Sequence, residues 1–166
     1  MKYVAIDELN HFSFHDAELQ KIDIYEDKMR WLLSAINATV QNSQNSYDED
    51  MCIIEAEIIF EHFKIENIVI GEYKVYDSSH KLIESVEAIT VDADKYDDIL
   101  KKTLNGYCYL YSMEELHTDD DKNVVCFIID GGDDTYHLTI SFSKSTVIWD
   151  NYDGKAWYEH DKWKKK

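Results

Sequence analysis

Between polar turn clusters, most of this chain alternates apolar and polar residues with period two, the pattern of strands that bury one face. Residues 19–25 alternate, Glu26-Asp27-Lys28 supplies a turn, and residues 29–40 return, which predicts a hairpin. Strict alternation along the returning strand sets Leu32, Ser34, Ile36, Ala38 and Val40 on one side, with Trp31, Leu33, Ala35, Asn37 and Thr39 on the other. Residues 51–60 oppose Ile54, Ala56, Ile58 and Phe60 to Glu55, Glu57 and Glu61. A helix would scatter those glutamates round its circumference; a strand puts them all in water.

Two further strands, 65–76 and 82–91, flank the turn formers Asp77-Ser78-Ser79-His80. Strands then resume over 107–113, 124–130, 135–143 and 146–149. Gly131-Gly132-Asp133-Asp134 joins two of these, with glycines suited to the positive φ of a tight hairpin. One segment, 94–104, reads as a helix. Asp92 precedes it as a cap, Lys101 and Lys102 sit in its last turn, Asn105-Gly106 stops it, and Tyr96, Ile99, Leu100 and Thr103 form its inward stripe. Residues 41–50 hold one aromatic and no other apolar side chain, and so read as a mobile surface loop. Eight or nine mostly sequential strands with one helix predict a mainly β, β-rich α+β fold. Its form would be an antiparallel meander built as a bent sheet, a sandwich or a partly open barrel.

Composition narrows this picture. With 45% apolar and 13% aromatic residues, 166 residues can bury a real core, and no proline or glycine-rich linker divides them, so residues 1–166 read as a single domain. Thirty-four acids against 17 bases give a net charge of −17, which repels phosphate backbones and anionic lipid and argues against nucleic-acid and membrane partners. The chain has no apolar run near the roughly 20 residues of a spanning helix, and its first residues lack a signal-peptide core, which predicts a cytoplasmic protein. Cys52, Cys108 and Cys126 fall inside predicted strands and read as reduced, buried thiols.

Candidate chemistry is sparse. His15 beside Asp16 is the most pointed pair, a possible base or metal ligand. Neighbours on a strand face opposite ways, however, so the pair reads as a buried, hydrogen-bonded histidine followed by a turn-capping acid. The seven histidines are scattered singly, no Cys-x-x-Cys occurs, and no metal or cofactor is predicted. Asp119, Asp121, Asn123 and Asp130 imitate part of a calcium loop, but Val124 stands where the sharp turn needs glycine. No Gly-x-Ser-x-Gly elbow or phosphate-cradling glycine loop is present. The aromatic and acidic run from Trp149 to His160 is the second notable segment. It can stack on a sugar or hold a basic side chain; the favoured reading is structural, with Trp149 ending a strand in the core while Trp157 and Tyr158 pack the chain back over a sheet edge.

The segment Phe12-Ser13-Phe14-His15-Asp16-Ala17-Glu18-Leu19 resembles the opening of small acidic bacterial proteins that begin with an FHDA or FHDS segment, some of them immunity-protein-like. That resemblance implies a partner and transfers no catalytic residue. The expectation is a non-catalytic acidic interaction protein, an immunity or inhibitor protein that neutralises a basic protein surface. Asp119, Asp120, Asp121, Asp133 and Asp134 are its expected charge contributors, with Trp149, Tyr152 and Trp157 as anchors. The alternatives are a small-ligand or carbohydrate-binding, barrel-like domain and a hydrolase or isomerase built on His15 and Asp16.

Overall fold

The computed structural model of the chain describes residues 3–118, 121–131 and 133–160. Fourteen strands and one α-helix are formed among them. In chain order they are β1 (Tyr3–Ile6), β2 (Phe12–Ser13), β3 (Glu18–Tyr25), β4 (Lys28–Ala38), β5 (Met51–Glu61), β6 (Lys64–Ile70), β7 (Tyr73–Tyr76), β8 (Leu82–Val86), β9 (Ile89–Thr90), α1 (Tyr96–Thr103), β10 (Tyr109–Thr118), β11 (Asn123–Asp130), β12 (Thr135–Phe142), β13 (Lys144–Trp149) and β14 (Tyr152–Lys155). The fold is mainly antiparallel β, as the periodicity predicts, and its sheet is bent without closing into a barrel.

Ten strands run in the order β1, β13, β5, β4, β3, β10, β11, β12, β6, β9. In addition β14 pairs with β5 and β2 with β4. The path folds into two facing halves at the β3/β10 corner, where the ladder shrinks to the single pair Tyr109 and Glu18. Leu19 N–H donates to the Cys108 carbonyl and Leu110 N–H to the Ala17 carbonyl, both at 2.8 Å, and these bonds hold the corner. On the opposite side, β5 runs into β6 and β12 into β13, so two long strands bend from one half to the other. His62 makes the first bend with a left-handed φ of 52°. Its Nδ1 lies 2.7 Å from Ser143 Oγ and its Nε2 3.2 Å from the Asp27 carboxylate, which ties the two bends and the β3–β4 turn together.

Aromatic rings fill the space between the halves. Trp31 of β4 and Phe60 of β5 lie 4.6 Å and 6.1 Å from Phe127 of β11, and Phe60 lies 5.0 Å from Phe142 of β12. All four rings are buried, so the volume that a barrel-like ligand binder would keep open is occupied by side chains.

Several expectations need correction. Fourteen strands replace eight or nine because β1, β2 and β14 are short edge pieces, and because segments 65–76 and 82–91 each divide. The first division falls at Gly71, where an added Cβ would meet the Thr135 carbonyl at 3.3 Å. Beyond it the chain leaves the sheet, and β7 pairs with β8 as a separate two-stranded ribbon. Alternation along β4 also breaks. Met29, Trp31 and Leu33 are buried, then Ile36 and Ala38, because Ala35 adopts a left-handed φ of 59° and resets the parity. The paired strand follows: Ala56, Ile58 and Phe60 point inward as expected, but Ile54, opposite Ala35, is exposed.

The helix is shorter than 94–104, since residues Ala93–Lys95 form a 3₁₀ turn before it. Leu100 and Thr103 are buried and Tyr96 and Ile99 pack against the core, as the stripe predicts. Asp92 makes no side-chain cap; its carboxylate instead faces Lys95 at 3.5 Å. Gly131 does not use positive φ, but an added Cβ would strike the Tyr136 ring at 2.8 Å; Gly132 lies outside the described residues. The polar segment 41–50 is pinned: Asn45 Nδ2 donates to the carbonyls of Ala38, Thr39 and Glu49 at 3.0–3.1 Å. All three cysteines are free. Cys108 is buried just ahead of β10, whereas Cys52 and Cys126 are half-buried on their strands. Among the described residues no helix is long and apolar enough to cross a membrane.

Candidate partner-binding surface

The Phe12–Asp16 segment is shaped by its two phenylalanines. Both are buried, Phe12 edge-on to Trp149 at 5.7 Å and Phe14 edge-on to Phe127 at 5.8 Å. With these rings anchored, His15 is turned outward, and the chain reverses at Asp16 with a left-handed φ of 64°. Asp16 N–H donates to the Leu110 carbonyl at 2.9 Å, which fastens the reversal to β10. His15 is therefore exposed, contrary to the expectation of a buried histidine. Its Nδ1 donates to the Tyr111 carbonyl at 3.1 Å. The left-handed turn also undoes the strand rule that sends neighbours to opposite faces, since His15 Nε2 and Asp16 Oδ2 lie 3.4 Å apart.

Beside this turn stands a row that the sequence reading did not single out. Tyr107, Tyr109 and Tyr111 are all exposed, with the first two rings 5.6 Å apart. Tyr111 is the extra residue of a bulge between Leu110 and Ser112, and its hydroxyl donates to Asp130 Oδ2 at 3.3 Å. Asp130, helped by its bond to the hydroxyl and by Asp16, raises the Tyr111 pKa above the ordinary phenol value, so the ring stays neutral at physiological pH. Glu18 pairs with Tyr109 across the corner, so carboxylates from β3, β11 and the Asp16 turn interleave with three phenol rings. The signal available in the sequence is Tyr-x-Tyr-x-Tyr at positions 107, 109 and 111, a period-two aromatic row at a strand start.

On its other side, the His15–Asp16 turn borders a groove of about 370 Å³ that Asp153, Lys155, Trp157 and His160 also line. The two segments that stood out in the sequence thus meet in space. Lys155 is neutralised by Glu49 at 3.0 Å, and Trp157 is half-exposed with Tyr158 edge-on at 5.5 Å. Burial raises the Cys52 pKa and Asp153 adds to the effect, so this groove-lining thiol is a poor nucleophile.

The other expected contributors do not share one patch. Trp149 is 1% exposed, stacked under Tyr3 at 5.3 Å, and is a core residue with no surface to offer. Tyr152 packs on Tyr3 and Trp149 and donates to the Gln44 carbonyl at 3.0 Å, and its burial lifts the phenol pKa to about 12. Of the proposed anchors, Trp157 alone is largely open. Asp134 is half-buried between Lys102 at 3.6 Å and Tyr136, and is already compensated. Asp133 is exposed at the β11–β12 turn, on the tyrosine end, whereas Asp121 is exposed at the opposite end of β11, about 25 Å away at ordinary strand rise. Asp119 and Asp120 lie outside the described residues. Among the described residues no three His, Cys, Asp or Glu side chains are grouped to hold a metal. No family model, curated protein or solved structure matches this chain.

Proposed function

We propose that this chain is a non-catalytic acidic interaction protein, of the immunity or inhibitor kind, that neutralises a basic protein through the surface formed by Tyr107, Tyr109, Tyr111, Asp16 and Asp130. The observation that carries this reading is the interleaving of exposed phenol rings with carboxylates beside the ordered His15–Asp16 turn. A guanidinium or ammonium group laid on a tyrosine face gains about 0.5–1 kcal/mol when exposed and about 2 kcal/mol once desolvated. Flanking carboxylates add charge-assisted hydrogen bonds, and the surrounding field of a chain at −17 draws a cationic partner in. Rigid rings at the centre with charges around them match the anatomy of tight interfaces.

The test is stopped-flow association with an arginine-rich peptide as probe, run at low and at physiological salt. Steered encounter predicts that the association rate falls about tenfold or more while dissociation changes less. Rates indifferent to salt would overturn the proposal.

A further inference from the structure

The β7–β8 ribbon is a second, independent surface. It belongs to no larger sheet: β7 pairs with β8 alone, and both outer edges are open among the described residues. Every residue of β7 is exposed, as is all of β8 except the half-buried Val86. The ribbon nevertheless carries Tyr73, Val75, Tyr76, Leu82 and Ile83, with Ile83 65% exposed. A two-stranded ribbon is marginal in water, and one with large apolar side chains exposed on it is the arrangement that proteins cover. At roughly half exposure these residues present on the order of 500 Å² of surface, well over half of what one partner of a standard interface contributes.

Charge identifies the occupant. From Tyr73 to Val86 the ribbon carries Lys74 and Lys81 against Asp77 and Glu84, a net charge of zero within a chain at −17. A basic partner has no reason to choose this neutral arm over the acidic remainder. Two copies of the chain, which repel each other almost everywhere else, can meet here.

We propose that the β7–β8 ribbon is a self-association arm, in which β7 of one copy pairs antiparallel with β7 of a second copy across a two-fold axis. The axis stands normal to the sheet and so passes through one residue position; set at Val75 it opposes Val75 to Val75 of the second copy, Lys74 to Tyr76 and Tyr73 to Asp77, so an apolar pair forms at the axis and no like charges face each other. The equivalent pairing of β8 about its central residue would oppose Glu84 to itself. Joined edge to edge, the two ribbons make a four-stranded sheet.

Sedimentation equilibrium of the intact chain tests this. The expected result is a monomer–dimer equilibrium that strengthens several-fold as salt screens the repulsion between copies, opposite in sign to the salt response of the acidic surface. Val75→Lys should weaken the dimer about tenfold, because it sets two introduced ammonium groups against each other across the axis. Val75→Thr, of the same shape and without the charge, should keep it. Within one chain residue 75 faces Glu84, so neither substitution sets like charges across the ribbon. Total charge predicts the opposite for Val75→Lys, since that variant is less acidic than the parent. A chain that stays monomeric to about 1 mM would leave the arm to a foreign partner and overturn the proposal. So would a dimer indifferent to Val75→Lys, or one that weakens with salt.

Discussion

Phe127→Ala is the perturbation that bears most directly on how the two halves of the sheet are held together. The ring is fully buried, 4.6 Å from Trp31, 5.8 Å from Phe14 and 6.1 Å from Phe60 by centroid distance. Those three neighbours come from β4, from the segment after β2, and from β5, and strand pairing fixes β4 and β5 while the chain reversal at Asp16 fixes Phe14. They cannot close on the vacated volume, so the cost should sit in the middle of the usual range for Phe→Ala, about 4 kcal/mol. The three ring contacts, at about 0.5–1.5 kcal/mol each, are part of that total. Urea unfolding followed by circular dichroism reads the effect: with a slope of about 2 kcal/mol/M the midpoint should drop by about 2 M. Cys126→Ala, one residue away on the outward face, should cost about 1 kcal/mol or less. A drop below about 0.5 M for Phe127→Ala, or equal effects at 126 and 127, would refute the facing of the halves through this ring.

Glu66 accepts from Ser141 Oγ at 2.6 Å and meets Lys122 at 3.0 Å, which together hold its carboxyl at about 2. Because the folded value lies below the unfolded one, the stabilisation is present above about pH 4.5 and is lost as pH falls toward 2. After solvent screening it should amount to about 1–2 kcal/mol, and Glu66→Gln should flatten the change in urea midpoint across that window. Burial raises the pKa of the Cys52 and Cys126 thiols and pushes Cys108 to about 12, so a thiol reagent near pH 8 should react slowly with the native chain and titrate three equivalents once it unfolds. Rapid native reaction would contradict those environments. His15→Ala removes one exposed hydrogen bond to the Tyr111 carbonyl and should cost about 0.5–1 kcal/mol in thermal melts, well short of the 3–5 kcal/mol range expected for Phe14→Ala.

Strand identity was legible in the sequence because β12 and the first part of β4 alternate strictly, a two-residue period with no other structural meaning, and because β11 is a short β-branched apolar run between polar turn residues. The errors cluster where one residue takes an uncommon backbone conformation. Ala35, at φ of 59°, is a residue type that carries no signal of a left-handed turn, and Asp16, at 64°, is of a type that enters that region more readily than most yet is more common as an ordinary turn cap. The first inverts the face of Ile36 and Ala38, and the second converts His15 from an expected core residue into a surface group. Trp149 was misplaced only as an interface anchor, for a different reason. An aromatic among acids suits both a core strand end and an interface anchor, and Tyr3, whose strand had no clear alternation, covers it together with Phe12 and Tyr152. The separation of β7 and β8 from the main sheet was illegible because their alternation is that of an ordinary strand, and the decision is made by which edge the chain leaves at Gly71.

The central claim is that a defined acidic and aromatic surface, and not the overall charge, receives a basic partner. Titration calorimetry with an arginine-rich peptide should compare the parent chain with two variants of equal charge. One carries Asp16→Asn and Asp130→Asn, beside the tyrosines. The other carries Asp94→Asn and Asp97→Asn, at the helix start and in its first turn. The account predicts a loss of affinity of about tenfold or more for the first and about twofold for the second, since close charge pairs couple far more strongly than screened distant ones. Equal losses for the two variants would show that binding follows net charge alone and would contradict the account.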